Sequence, residues 1–378
     1  MRVVVAPDKY AGTLTAVAAA EAVARGWRSV RPEDDLVLRP VADGGEGTVD
    51  VIAYALRRAT LRTRVPGPLG ESVVAESLLL DDVAVVEMAA AAGLRLLPPD
   101  QRDPRRTSTV GVAHLVCGVV DRGARRVVLG LGGSATNDGG AGFVSHLGAR
   151  LLDRGGRELP AGGSALRALD RIDLAGWWWP AFSGGAEVVA ASDVTNPLCG
   201  RDGASAVFGP QKGADATAVA ELEDAMRRWI EVVERDVPGA VGYARAPGAG
   251  AAGGLGFALM AFLGAAVEPG LPLVADLVGL PSALDGADLV VTGEGRLDGQ
   301  SLRGKAPVGV AALAATRGLP CVAIAGEVTA GEAELRAAGF AATFSLVDLA
   351  GSVDAAMAEA ARWLAAAAGD VAKRWSPG

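Results

Sequence analysis

Short apolar runs punctuated by glycine-rich polar loops open and close this chain. Residues 3–6 form a β-branched run, residues 7–12 have loop character, and Thr13 or Thr15 is placed to cap a helix reaching Arg28. A second strand is predicted over 36–41. It breaks at Ala42-Asp43-Gly44-Gly45-Glu46-Gly47, and a helix follows over 48–57. After Ala59 the rhythm changes: runs at 61–65, 72–80 and 83–88 lie close together, as antiparallel strands do. Helical and strand patterns then mix as far as Leu284. From Asp288 the strand–loop–helix alternation returns, with strands at 289–292, 321–325 and 343–346 and helices near 308–316 and 332–338. The pattern predicts an α/β protein of two domains. A discontinuous Rossmann-like domain, residues 1–62 and 286–378, carries a parallel sheet built from both termini. Residues 63–285 form an inserted α/β domain with a mixed sheet.

Composition narrows the class. Half of the 378 residues are hydrophobic and 21% are charged, which fits a folded core and excludes a disordered chain. The net charge of −8 argues against a nucleic-acid partner, since phosphate backbones require clustered Lys and Arg. Three scattered cysteines, Cys117, Cys199 and Cys321, make neither a disulfide framework nor a zinc site, so a reduced cytoplasm is expected. The N-terminal pattern is not that of a signal peptide. Residues 246–267 carry no charge, but their first half is rich in glycine; they read as a loop feeding a buried helix, not a membrane span. Trp177-Trp178-Trp179-Pro180 reads as a loop packed on the surface.

The 52 glycines have no Gly-X-Y period and gather in a few loops. Three apolar runs end in small and acidic residues: 127–129 before Gly130-Leu131-Gly132-Gly133-Ser134-Ala135-Thr136-Asn137-Asp138-Gly139-Gly140, 188–191 before Ser192-Asp193-Val194-Thr195-Asn196-Pro197, and 290–292 before Gly293-Glu294-Gly295-Arg296-Leu297-Asp298. Ligands of open α/β sheets bind beyond the carboxyl ends of strands. Glycines admit phosphate oxygens to backbone N–H groups, and carboxylates in the same loops hold Mg²⁺ or accept a proton. The set points to a polyanion with a metal.

Two motifs mislead. Gly130-Leu131-Gly132-Gly133-Ser134-Ala135 matches a dinucleotide fingerprint, but Asn137-Asp138-Gly139-Gly140 should interrupt the helix that it needs. The stretch from Gly299 to Ala306 nearly matches a P-loop, but Ala306 replaces the hydroxyl residue that would hold Mg²⁺. Lys305 remains a candidate for phosphate. His114 and His146 lie in apolar helical contexts, so histidine-based triads and metal sites are not expected. The base is then Asp, Glu or Lys. Candidates are Asp8 and Lys9 after the first strand, Asp43 and Glu46 at a helix start, and Asp193 with Asn196 as a metal or base pair. Lys212, whose flanking glycines would expose its ammonium to an anion, and Arg296 beside Glu294 complete the set. Each has a plain structural alternative: a turn, a cap or an ion pair.

The ordered set Ala6-Pro7-Asp8-Lys9-Tyr10, Val41-Ala42-Asp43-Gly44-Gly45-Glu46-Gly47-Thr48, the 132–140 loop, Ser192-Asp193-Val194-Thr195-Asn196-Pro197-Leu198, Phe208-Gly209-Pro210-Gln211-Lys212-Gly213, 248–254 and 292–298 resembles the class I glycerate kinases along nearly the whole chain. The resemblance implies ATP- and Mg²⁺-dependent phosphorylation of D-glycerate in organic-acid and glyoxylate metabolism, with 2-phosphoglycerate favoured over 3-phosphoglycerate. It implies a monomer or homodimer with glycerate and ATP as its small-molecule partners. On this reading Asp193, Asp43 and Lys9 are catalytic. Asp8, Glu46, Arg296 and Asn196 bind substrate. Gly132, Gly133, Ser134, Thr136, Lys212 and Lys305 bind the nucleotide, and Asp193 and Glu294 hold the metal. One departure is Ala11, where many relatives carry a second lysine. A 2-hydroxy-acid dehydrogenase using NAD(P) and a non-catalytic organic-acid sensor are the competing readings.

Overall fold

The β-branched run near the start becomes strand Arg2–Val5, and Val3, Val4 and Val5 are fully buried. A strand covered on both faces needs such a run, because neither face meets water. The computed structural model describes residues 1–10, 12–299, 301–303 and 305–375. Ala11 lies outside the described residues, as do Gln300 and Gly304 of the P-loop-like stretch. The chain divides into two compact units: residues 1–43, 50–58 and 271–378, and residues 44–49 and 59–270.

In the first unit five strands form one parallel sheet. Across it run Phe340–Ser345, Cys321–Ala325, Leu289–Thr292, Arg2–Val5 and Asp35–Leu38. Counted along the chain within this unit, the spatial order is 2-1-3-4-5. The strand order reverses between Arg2–Val5 and Leu289–Thr292, where a crevice opens at the carboxyl ends. Val3 pairs with Leu289 and Val5 with Val291, so the two ends of the chain share one sheet. Helix Ala16–Arg28 starts where Thr15 Oγ1 accepts from Ala18 N, which selects Thr15 over Thr13 as the cap. Its apolar face, with Val23 and Trp27, joins Leu364 and Val371 of the last helix in the unit's core.

The second unit holds a six-stranded mixed sheet. Ala266–Glu268, Glu187–Ala191, Arg126–Gly130 and Val83–Glu87 run parallel, and Ser72–Leu80 and Leu61–Pro66 extend it antiparallel. Val83–Glu87 thus pairs antiparallel on one side and parallel on the other, which spacing alone did not reveal. Residues 246–267 contain helix Leu255–Leu263, whose first seven residues are buried in protein. Among the described residues no helix is long and apolar enough to cross a membrane. Trp179 is buried, in the short helix Trp179–Ser183. His114 and His146 stack with ring centroids 3.8 Å apart, as packing groups of two helices.

Candidate active site

The strand reversal in the first unit brings two loops side by side. Asp8 N donates to Gly293 O at 2.8 Å, and Thr292 Oγ1 donates to Ala6 O at 2.8 Å. Asp8 and Glu294 therefore follow adjacent parallel strands. Both line a cavity of about 360 Å³ together with Lys9, Asp43, Arg296 and Lys305. Of the residues singled out from the sequence, these six share one cavity. Tyr10, Gly326 and Glu327 also line it and were not anticipated. Glu327 follows the strand Cys321–Ala325; the repeated rule that loops after parallel strands meet the ligand was the signal available for it.

The electrostatics of the cavity are unusual for carboxylates. Asp8 is 6% exposed, and burial pushes its carboxyl up to about 7, assisted by the charges of Asp43 and Glu294. Lys9 opposes this through its ammonium and through its N–H, which donates to Asp8 Oδ1 at 2.6 Å. Glu294 is also buried and raised, first by desolvation, against the pull of Lys305, whose Nζ stands 3.5 Å from Glu294 Oε2. Glu294 Oε1 is buried without a hydrogen-bond partner. Burial and the same two carboxylates hold the Tyr10 phenol above its ordinary range, so Tyr10 serves as a donor, to Ile324 O. Arg296 is more exposed and lies 3.2 Å from Glu327 and 3.8 Å from Asp298.

The remaining candidates belong to the second unit. The 132–140 loop is packed backbone against backbone. A Cβ on Gly130 would meet Gly44 O at 2.2 Å, and one on Gly132 would meet Gly45 Cα at 2.5 Å. These glycines therefore let two glycine loops touch. Gly133 is left more room, with a left-handed φ of 74°. Thr136 is fully buried, and its hydroxyl donates to Ala252 O. Lys212, read from sequence as exposed between glycines, is 2% exposed; its Nζ donates to Ser134 Oγ at 2.8 Å and Thr136 O at 2.7 Å. Burial lowers its ammonium to about 7, against the attraction of Asp138. Asp138 is fully buried and accepts from Thr109 N, Thr109 Oγ1, Gly140 N and Gly142 N. The helix after this loop begins only at Ala141, so the fingerprint at Gly130 lacks the helix that a dinucleotide pyrophosphate requires.

Asp193 is exposed and accepts from Gly270 N at 3.0 Å. Asn196 Nδ2 donates to Asp202 O at 2.8 Å. Glu46 pairs with Arg95 at 2.9 Å. At the start of helix Thr48–Leu56 the Val49 N–H is taken by the buried Glu87 carboxylate. Asp193 and Glu294, expected together at a metal, belong to different units. Among the described residues no three His, Cys, Asp or Glu side chains cluster as a metal cage.

The sequence model of the glycerate kinase family matches residues 3–376. The chain is 43% identical to the glycerate 2-kinase of Escherichia coli K12 over 358 residues, covering 94% of this chain and 93% of that one. It is 42% identical to the glycerate kinase of Bacillus subtilis 168 over 374 residues, covering 98% and 97%. The crystal structure of a protein described as glycerate kinase 2 from Salmonella typhimurium LT2 superposes with a TM-score of 0.83 at 40% identity, covering 99% of this chain and 98% of that one. The chain belongs to the glycerate kinase family, phosphotransferases with an alcohol group as acceptor.

Proposed function

We propose that this protein transfers the γ-phosphoryl group of ATP to a hydroxyl of D-glycerate in organic-acid metabolism, with 2-phosphoglycerate favoured over 3-phosphoglycerate. The observation that carries the reading is the pairing of Asp8 and Glu294 at adjacent strand ends, within one cavity that also holds Lys9, Arg296 and Lys305. Phosphoryl transfer asks mainly for positioning and charge neutralisation. The glycerate hydroxyl oxygen bonds to the γ-phosphorus, the bond from that phosphorus to the β–γ bridging oxygen breaks, and ADP leaves. The hydroxyl proton passes to the Asp8 carboxylate. A carboxyl raised toward neutrality suits that task, because it holds a proton more tightly than an ordinary carboxylate does. Lys305 and Arg296 offset charge on the phosphates, and Lys9 holds Asp8 through its backbone N–H. Asp43 adds its charge beside Asp8.

Mg²⁺ fits the same residues. Glu294 offers a buried oxygen with no hydrogen-bond partner, and hard carboxylate oxygens suit this cation. Mg²⁺ commonly takes one or two carboxylates and completes its shell with water and phosphate, so a three-carboxylate cage is not required. Glu294 would hold it, and the ion would supply charge neutralisation on the β- and γ-phosphates. Asp193, at the end of strand Glu187–Ala191, is proposed as a catalytic group, Asn196 and Glu46 as substrate contacts, and the backbone of Gly132 and Gly133 as a nucleotide contact. Asp193→Asn is expected to lower kcat about 10²-fold; near-native turnover would assign Asp193 to the turn that receives Gly270 N.

The test is direct. Purified protein with ATP, Mg²⁺ and D-glycerate should form ADP and phosphoglycerate, and ³¹P NMR separates the 2- and 3-phosphates. Folded protein that yields no glycerate-dependent ADP would overturn the reading, and a 3-phosphate product would overturn the regiochemistry.

A further inference from the structure

The cavity at the strand reversal has two unlike walls. Charged side chains from the strand-end loops form one, and the short helices Leu346–Ala350 and Val353–Ala358 with Ala360 form the other. That second wall is aliphatic: Leu346, Val347, Val353, Ala356, Met357 and Ala360 line it. Leu346, Ala356 and Ala360 are buried behind it, whereas Val353 is 45% and Met357 50% exposed. Val353 and Met357 stand four residues apart on one helix, so their exposed apolar areas adjoin beside the ionic wall and a ligand that covers both gains from their burial.

We infer that this wall receives the purine base of ATP, with the triphosphate directed toward Lys305 and Arg296. The inference rests on the kinase reading above and identifies which substrate fills which part of the cavity. Glycerate bears an oxygen on every carbon. Pressed against six aliphatic side chains, its oxygens would lose water and gain no partner. A purine presents flat apolar faces and gains from the same surface. The cavity volume of about 360 Å³ lies in the range of sites for nucleotide- or drug-sized ligands and far exceeds what a three-carbon acid fills. Charge complementarity sets the direction. The aliphatic wall carries no charge, whereas the other wall sets Lys9, Arg296 and Lys305 beside the carboxylates Asp8, Asp43, Glu294 and Glu327, so only that wall can pair with a triphosphate and its cation.

The test measures ATP, inorganic triphosphate and D-glycerate on wild type, Met357→Asp, Met357→Leu and Val353→Asp. The two Asp variants alter half-exposed positions, and melting temperatures establish that they fold. Each is expected to weaken ATP binding, and raise KM for ATP, by about tenfold or more. Triphosphate binding and KM for glycerate should stay within about twofold, and Met357→Leu should bind ATP like wild type. ATP binding unchanged in both Asp variants overturns the inference, as does a rise in KM for glycerate alone or an equal loss of ATP and triphosphate binding. The binding arms do not need turnover. If wild type binds ATP yet makes no glycerate-dependent ADP, the kinase reading fails while the base site is still decided.

Discussion

Asp8→Asn is expected to lower kcat by about 10²-fold or more, and at the same time to stabilise the protein above neutral pH. The activity loss follows from removing the carboxylate proposed to accept the hydroxyl proton. The stability gain follows from linkage. The Asp8 carboxyl sits near 7 in the folded protein and near 3.8 in the unfolded chain. Between those values the folded state binds the extra proton, so wild type loses stability as pH rises from about 4 to about 7, and the loss is complete above 7. A shift of this size corresponds to about 4 kcal/mol. Asn retains an oxygen for the Lys9 N–H and has no charge to bury. Melting curves at pH 5 and pH 8.5 check this: the variant should match wild type more closely at pH 5 and exceed it by several degrees at pH 8.5. Full activity in Asp8→Asn, or a melting temperature below wild type at pH 8.5, would refute the account.

Lys212→Met separates two roles for the buried lysine. As a strut, Lys212 satisfies Ser134 Oγ and Thr136 O inside the unit. Its loss should then destabilise by about 2–4 kcal/mol at pH 9, because buried acceptors are left without donors. The cost should be smaller at pH 6. The folded-state ammonium titrates near 7, well below its unfolded value of 10.5, so wild type gains stability as pH rises between the two. Below pH 7 wild type carries the full cost of burying a charge, which Met does not. A direct contact with nucleotide predicts something else: an unchanged melting temperature and a raised KM for ATP. Chemical denaturation at both pH values, beside ATP kinetics, distinguishes them.

Glycine enrichment in the 132–140 loop was legible, but its cause was not. From sequence, glycine followed by hydroxyl residues reads as an anion cradle. In the structure Gly130 and Gly132 admit the backbone of Gly44 and Gly45, a contact between segments more than eighty residues apart. No local pattern reports such an approach. The same applies to Lys212: the flanking glycines suggested an exposed turn, whereas the acceptors that bury it come from residues 134 and 136. The aliphatic wall escaped because its residues repeat at ordinary helical spacing, indistinguishable from core.

The sequence by itself determined the parts whose physics is local. Buried parallel strands need runs unbroken by charged residues and rich in aliphatic side chains, so 3–5, 289–292 and 321–325 were readable, as was the union of both termini in one parallel sheet. The order of glycine and carboxylate loops carried the family. Tertiary structure alone decided which loops meet. Strand order places Asp8 beside Glu294, nearly three hundred residues apart, and adds Glu327 and Met357 to the same cavity. It also raises Asp8 toward neutrality, since desolvation and neighbouring charge depend on what surrounds a carboxylate in space and not on what flanks it along the chain.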